Sequence, residues 1–288
     1  MTFIGIALED LDAMLRLLDD QVGSRVTERV RRRTQLDISS FNRVRVCAAL
    51  VRELGGVQGF PKVARNIALD PNASPFEPHG SWLQLLVAYI FKVRGHEIAL
   101  ERPVAGCPKD VVLDAEKVIV ECKSFDYGAK AKSRFRDFHE SGQVTQEHPD
   151  QPEAFITKWM LWPPLPGVHH GWVSTNHYQR FVTNAVEEKY HQLVEGWCNV
   201  LAFNTERISR DPNALREPLE QLLNADRYSK ISAFLLLQQE ALAEQDYRRG
   251  SRVTVLLIER PRRDGITVPK SVVHALQQWN LIGSANTT

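Results

Sequence analysis

The chain is poor in cysteine and has no long apolar run, and these two absences exclude several classes of protein. Its four cysteines include no pair with the CxxC spacing that zinc ribbons and redox-active thiols use. No apolar run approaches the ~18 residues that a membrane-spanning helix needs. The N-terminal residues MTFIGIALEDLDAM lack the basic and apolar regions of a secretory signal. We therefore expect a soluble protein of the reducing cytoplasm, with no membrane partner.

The chain also lacks an excess of charge of either sign. Its formal net charge is +1 at pH 7 over 288 residues, so the total charge gives no argument for a nucleic-acid partner. An argument for a nucleic-acid partner must come from local clusters of charge. Hydrophobic residues make up 43% of the chain and charged residues 25%. That composition is ordinary for a globular protein, and the chain is long enough to bury a full core.

The order of sequence patterns predicts three parts. Residues 1–75 carry apolar side chains at helical spacing and are predicted to form an N-terminal helical domain. The stretch LDPNASPFEPHG marks the predicted boundary. Residues 76–210 are predicted to form the α/β core, and residues 211–288 a C-terminal helical elaboration with one strand, RVTVLLIE. The predicted fold class is therefore α/β, a mixed sheet flanked by helices with an N-terminal helical domain.

The core begins with a strongly apolar helix, SWLQLLVAYIFKVRG, which is predicted to end at Gly95. HEIALE is predicted as a strand, RPVAGCP as a loop, and KDVVLDAEKVIVECKSF as a hairpin that turns at DAEK. VHHGWVS and CNVLAFN are predicted strands on either side of the helix NHYQRFVTNAVEEKYHQLVEG. Helices are predicted to fill about 212 to 247, ahead of RVTVLLIE and a last helix around PKSVVHALQQWNL.

The predicted hairpin carries charged residues where apolar ones are expected. Folded about residues 114–117, it places Asp110 opposite Glu121, with Lys123 on the face of Glu121. Opposed residues have Cβ atoms about 5 Å apart, where two bare carboxylates repel by roughly 3 kcal/mol at an effective dielectric of about 20. A proton on one acid, a divalent cation or Lys123 would offset this repulsion. One lysine cannot neutralise two acids and also meet an anionic substrate, so Mg²⁺ is favoured.

These residues resemble a known motif. PKD, ten residues and then ECK are similar to the motif of the PD-(D/E)xK nuclease superfamily, which has the restriction-endonuclease-like fold. The preceding helix and strand resemble the αβββαβ core of that family, and GWVSTNHYQRFVTNA resembles a strand and helix of Mrr-type restriction enzymes. The resemblance covers roughly residues 77 to 205.

The resemblance implies a metal-dependent endonuclease that hydrolyses phosphodiester bonds in DNA, in restriction or phage defence. Asp110 and Glu121 match the residues that bind Mg²⁺, for which Mn²⁺ can substitute. Lys123 matches the lysine that orients the nucleophile and touches the scissile phosphate. An exposed hairpin edge with a surface ion pair is the structural alternative for the same three residues.

Gln84 departs from the family pattern. It lies 11 residues before Gly95, where many members of the family carry a Glu. An amide can hold a ligand water but supplies no charge, so Gln84 is a candidate auxiliary residue only. This departure keeps a second hypothesis open, a nucleic-acid-binding or assembly protein that has the fold and little activity. Cleavage of RNA is a third hypothesis.

Two basic stretches are candidate contacts for phosphate groups. KAKSRFRDF interleaves basic and aromatic residues just after the hairpin, and its candidate DNA-binding residues are Lys130, Lys132, Arg134 and Arg136. RVTERVRRRTQ, within the N-terminal part, holds five arginines. It is predicted either to contact phosphates or to bind a protein partner or a second copy of the chain. A solvated face is the alternative for both.

The remaining polar candidates are assigned ordinary structural roles. Glu77 and Glu101 are predicted to be exposed, the histidines to cap or lie on the surface, and Cys122 to lie in the core. Gln143 and Gln146 are candidates for the further basic or Gln residue that the family carries after its lysine. The histidines concerned are His169, His170 and His177.

Overall fold

The computed structural model describes residues 2–4, 11–22, 38–69, 80–124, 175–204, 215–240, 251–261 and 266–281. Within these ranges the chain forms seven strands and seven α-helices. In chain order they are β1 (Thr2–Ile4), α1 (Leu11–Val22), α2 (Ile38–Leu54), α3 (Phe60–Leu69), α4 (Gly80–Lys92), β2 (Ala99–Val104), β3 (Cys107–Leu113), β4 (Val118–Lys123), α5 (Thr175–Tyr190), β5 (Cys198–Asn204), α6 (Arg216–Asn224), β6 (Ile231–Glu240), β7 (Ser251–Glu259) and α7 (Lys270–Leu281). A 3₁₀ turn, Asp226–Tyr228, precedes β6.

The strands form one mixed sheet of seven strands in the order β1-β7-β6-β5-β4-β3-β2. Strands β2, β3 and β4 form an antiparallel meander, and β4, β5 and β6 run parallel to one another. Strands β7 and β1 complete the sheet in antiparallel pairings. Parallel neighbours need a long crossover between them, and α5 lies in the crossover from β4 to β5. The predicted class, a mixed α/β sheet flanked by helices, is confirmed.

The hairpin has the predicted register. Leu113 pairs with Val118, Val112 with Ile119 and Val111 with Val120, around a turn at residues 114–117. Side chains alternate between the two faces of a strand, so Val111, Val118 and Val120 share the face that packs on α4. This register fixes which residues of β4 point away from α4.

The sheet is buried on both faces, as its parallel centre requires. Helix α4 is buried all round from Trp82 to Phe91, which is typical of a helix inside a core. Its side chains form one core with residues of α1, α2, α3 and α7. On the opposite face, α5 and α6 form a second core with β5 and β6. In the described part of the chain, no helix is both long and apolar enough to cross a membrane.

The prediction that helices fill about 212 to 247 is wrong at residues 231–240. Helix α6 ends at Asn224, and ISAFLLLQQE forms the strand β6. Because β6 lies between β5 and β7 and is covered on both faces, its apolar residues run on without alternation. A short apolar run such as AFLLL cannot be told from a buried helix by periodicity. Residues 211–288 therefore hold two long strands where one was predicted.

The predicted loop RPVAGCP is mostly strand. Strand β2 continues to Val104 and β3 begins at Cys107, so that only Ala105 and Gly106 form the turn. Both have positive φ, at 51° and 81°, which is the requirement of a tight two-residue hairpin. The three strands of the meander are consequently joined by short turns that hold their register firmly.

The N-terminal helices share a core with the sheet. Leu18 of α1, Leu50 of α2 and Val63 of α3 belong to the same buried cluster as α4, and β1 pairs with β7. The division of the chain at residues 75 and 210 stays a prediction. The boundary stretch LDPNASPFEPHG and the predicted strand VHHGWVS lie outside the described residues, apart from the terminal Leu69 and Gly80 of the former.

Candidate functional site

The candidate site lies at the carboxyl end of β4, beneath α5. Parallel pairing places Glu121 beside Leu201 and Lys123 beside Phe203 of β5. Neighbours across a ladder point to the same face of a sheet, and Leu201 and Phe203 pack in the core that includes Val186 of α5. Glu121 and Lys123 therefore face α5, whereas Val118, Val120 and Cys122 of β4 face α4.

Asp110 reaches this site from β3 by leaving the regular ladder. The paired register of β3 and β4 ends at Val111 and Val120. Beyond that pair, the backbone N–H of Cys122 donates a hydrogen bond of 2.7 Å to Oδ2 of Asp110. The Asp110 carboxylate thus takes the position of a strand acceptor, and the expected ladder pair between Asp110 and Glu121 does not form. The consequence is a carboxylate held firmly against the backbone of β4.

A lysine from α5 joins the two acids. Nζ of Lys189 lies 2.9 Å from Oε2 of Glu121 and 3.5 Å from Oδ2 of Asp110. Its side chain is only 15% exposed, so water does little to screen the contact. The expected repulsion between the acids is therefore offset by a lysine of the helix, not by Lys123. Lys189 was not predicted as a site residue from the sequence. It is distant from Asp110 and Glu121 along the chain, and the charged run EEK in which it lies does not indicate a site.

A second lysine is buried beside Glu121. Lys109 is 1% exposed and donates a hydrogen bond to the backbone oxygen of Gln192. Its Nζ lies 3.8 Å from Oε1 of Glu121, which is too long for a hydrogen bond. Within the described residues Oε1 has no hydrogen-bond partner, although Glu121 is itself only 1% exposed. A carboxylate oxygen without a hydrogen bond is costly in a protein interior.

Burial and neighbouring charges shift the ionisation of this cluster. Burial raises the pKa of the Glu121 carboxyl, and the Asp110 carboxylate raises that pKa further against the opposing effect of Lys189 and Lys109. Burial alone would lower the pKa of the Lys189 ammonium, but Asp110 and Glu121 outweigh burial and leave this pKa raised. Lys189 is thus held in its charged form. Glu121, the more deeply buried partner, retains a net cost of ionisation.

Lys123 lies on the predicted face but points to a different partner. Its Nζ donates to both carboxylate oxygens of Glu188, at 2.8 Å each. That hydrogen bond and the charge of Lys123 lower the pKa of the Glu188 carboxyl. Glu188 is 58% exposed, and exposed pairs of this kind are weak. Lys123 is therefore held loosely and is available to another anion.

Gln84 approaches Asp110 from the opposite face of the sheet. Its Nε2 donates to the backbone oxygen of Asp110 at 2.6 Å and to Oε1 of Glu101 at 3.2 Å. The expectation that Glu101 is exposed is wrong, because its side chain is 19% exposed and its Oε2 accepts a hydrogen bond from Lys62. Gln84 thus positions the backbone of Asp110, and its two hydrogen bonds go to that backbone oxygen and to Glu101, not to the two site carboxylates.

The donor atoms suit a hard cation. Asp110 and Glu121 supply carboxylate oxygens around one point, and Oε1 of Glu121 has the Lys109 ammonium at 3.8 Å but no hydrogen bond within the described part of the chain. Mg²⁺ is commonly held by one or two carboxylates with waters in its other positions. Among the described residues, no group of three or more His, Cys, Asp or Glu side chains could hold a metal. A metal site here would rest on Asp110 and Glu121, at the point that the Lys189 ammonium contacts.

The other predicted residues divide into two groups. Cys122 is buried, as predicted, and burial raises the pKa of its thiol. His177 lies in α5, with a side chain outside the described set. The rest lie outside the described residues: Glu77, Lys130, Lys132, Arg134, Arg136, Gln143, Gln146, His169, His170 and the stretch RVTERVRRRTQ. The roles predicted for them stay predictions.

Comparisons with known proteins give no match to a family model, to a curated protein or to a solved structure.

Proposed function

We propose that this chain is a metal-dependent endonuclease of the PD-(D/E)xK type that hydrolyses phosphodiester bonds in DNA. The observation that carries the proposal is the meeting of Asp110 and Glu121, from neighbouring strands, on a single ammonium group at the end of β4. A hairpin edge with a purely structural role does not need two carboxylates on one ammonium group. A site that must attract a cation and then a phosphate does need them.

The order of elements supports the same proposal. Helix α4, the meander β2-β3-β4, helix α5 and strand β5 follow one another, with β4 and β5 parallel. This is the αβββαβ order of the restriction-endonuclease-like fold that the motif resembles, and the three motif residues lie in its second and third strands. DNA as substrate, and a role in restriction or phage defence, rest on that resemblance.

The side chains of the site have distinct tasks in this proposal. Asp110 and Glu121 would hold Mg²⁺ or Mn²⁺, which when bound supplies an activated water and a Lewis acid for the phosphoryl oxygens. The Cys122 N–H keeps Asp110 oriented through its 2.7 Å hydrogen bond. Lys109 places a fixed positive charge behind Glu121. Lys123, whose partner within the described ranges is the exposed Glu188, would bind a phosphate oxygen and stabilise the charge that develops on it.

One observation favours a second function. Lys189 and Lys109 together already offset the charge of the acid pair, and Gln84 presents an amide hydrogen to the backbone beside it. A site in which the acids already have positive partners could belong to a nucleic-acid-binding or assembly protein that has the fold and does not cleave nucleic acid. The two functions differ in whether added metal produces strand breaks.

The test is a nicking assay with purified protein and supercoiled plasmid, with and without Mg²⁺ or Mn²⁺, and with a single-stranded RNA arm. We expect nicking that needs metal and that is lost in Asp110→Asn and Glu121→Gln. Glu217→Gln, which removes an exposed carboxylate on α6, should cut as the wild type does. Metal-independent binding without nicking would establish the second function, and cleavage of RNA alone would overturn DNA as the substrate.

A further inference from the structure

We propose that Lys189 is a tethered cation that a divalent metal ion must replace, so that this lysine sets the metal affinity of the site. The inference rests on the proposed metal site formed by Asp110 and Glu121. It concerns a residue outside the motif that suggested the function. In this structure the acid pair suited to a metal is already in contact with the Lys189 ammonium.

The ammonium and the metal would use the same oxygens. Nζ of Lys189 contacts Oε2 of Glu121 at 2.9 Å and Oδ2 of Asp110 at 3.5 Å. A divalent ion held by Asp110 and Glu121 would need the oxygens that the ammonium now contacts. Two positive charges on the same carboxylates repel strongly in a partly buried site. The two cations are therefore mutually exclusive.

The carboxylates do not depend on Lys189 for their positions. Asp110 is held by the N–H of Cys122, and its backbone oxygen by Gln84. Glu121 lies in a ladder with β5 and is 1% exposed, beside the fixed charge of Lys109. Departure of the ammonium would leave the acids in place as a preorganised pair. Lys189 is thus the movable member of the cluster.

The Lys189 side chain can turn away from the two carboxylates. It lies in the last turn of α5, where backbone carbonyls and the helix dipole favour a cation. The neighbouring Glu188 carboxylate is 58% exposed, and a lysine stem is long and flexible. The ammonium can therefore move toward solvent without a change in the backbone.

The first test is calorimetric titration of Mn²⁺ alone into wild type, Lys189→Met and Lys123→Met. Lys123→Met is the matched control, since it removes one positive charge from the same face without touching the acid pair. We expect Lys189→Met to bind Mn²⁺ about tenfold more tightly than wild type or better. Lys123→Met should gain clearly less. Equal gains in Mn²⁺ affinity in the two variants would show that the effect comes from net charge alone, and would overturn the proposed exchange.

A second test uses the wild-type protein, so that it does not depend on how the variant folds. Amine-reactive labelling, read by mass spectrometry, should modify Lys189 slowly without metal and faster as Mn²⁺ saturates the site. Lys62, paired with Glu101 outside the acid pair, should keep its rate. Unchanged labelling of Lys189 at saturating metal would contradict the proposal.

The folding of Lys189→Met, measured with and without Mn²⁺, also tests the exchange. If Lys189→Met unfolds without metal, added Mn²⁺ should refold it, and failure to refold in Mn²⁺ counts against the exchange. Mn²⁺ binding by Lys189→Met with none by wild type would support the exchange and argue against a wild-type nuclease. Metal binding without exchange, but with nicking, would sink this inference and leave the proposed function standing.

Discussion

Strands β4 and β5 are parallel neighbours in the sheet, yet they carry different kinds of residue at the paired positions that face α5. Val120 and Cys122 of β4 match Val200 and Ala202 of β5, all of them apolar and all packed toward α4. On the α5 side, β5 carries Leu201 and Phe203, which fill the second core. The corresponding positions of β4 carry Glu121 and Lys123.

The difference shows that the fold does not require charge at these positions. Leu201 and Phe203 demonstrate that apolar side chains suit this face of the sheet, one strand away from the acids. Glu121 is as buried as they are, but its Oε1 has no hydrogen-bond partner among the described residues and the pKa of its carboxyl is raised. A buried group of this kind costs stability unless it is paired. We infer that β4 carries its charges for chemistry and that Lys189 limits the cost.

The largest contrast should appear at the paired positions Phe203 and Lys123. Phe203→Ala empties a fully buried ring site and should lower the free energy of unfolding by about 3–5 kcal/mol. Lys123→Ala removes one half of an exposed ion pair and should change that free energy by about 1 kcal/mol or less. Urea unfolding of both variants measures the contrast. Similar losses in the two would mean that Lys123 is a structural residue.

Asp110 should show the next largest effect, through the backbone of β4. In Asp110→Ala the buried N–H of Cys122 loses its acceptor, which should cost about 1–3 kcal/mol. Asp110→Asn keeps an acceptor oxygen and should recover most of that loss. The comparison of the two variants by thermal unfolding separates the hydrogen bond from the charge. Equal stability of the two would contradict the role assigned to Oδ2.

A smaller effect should link Lys189 to Glu121. Lys189→Met leaves both acids without the bridging ammonium, whereas in a Glu121→Gln background only Asp110 loses a partner. The double-mutant cycle should therefore give a coupling of about 1–2 kcal/mol. It is measured by urea unfolding of the wild type, both single variants and the double variant, without metal. Additive losses would show that the bridge contributes nothing to the fold.

The pH dependence of stability should give the smallest signal. Because the folded-state pKa of Glu121 is raised, the folded chain binds this proton more tightly than the unfolded chain does. Stability relative to Glu121→Gln should therefore fall as pH rises from the ordinary carboxyl pKa through the raised one, and then level off. The raised pKa of Lys189 contributes equally across this window, which lies far below its titration. Unfolding of both proteins between about pH 4 and 8 measures the difference. A stability of the wild type that rises with pH relative to Glu121→Gln would contradict this prediction.

The hairpin and its register could be predicted from sequence, because alternation, turn and apolar content agree in KDVVLDAEKVIVECKSF. The strand β6 could not, since ISAFLLLQQE suits a helix locally and becomes a strand only between β5 and β7. At the site, the acids were predictable from their conflict with an apolar strand. Lys189, Lys109 and Gln192 were not, because their contacts depend on how α5 returns over the sheet. Long-range packing of that kind leaves no periodic signal in the sequence.

The most direct test of the account is to measure unfolding and plasmid nicking on one preparation of Glu121→Gln beside the wild type. This substitution keeps the shape of the side chain and removes its charge. The account predicts equal or higher stability without metal, together with loss of Mn²⁺-dependent nicking. Nicking at the wild-type rate would contradict it, because the buried acid of β4 would then serve neither the metal nor the reaction.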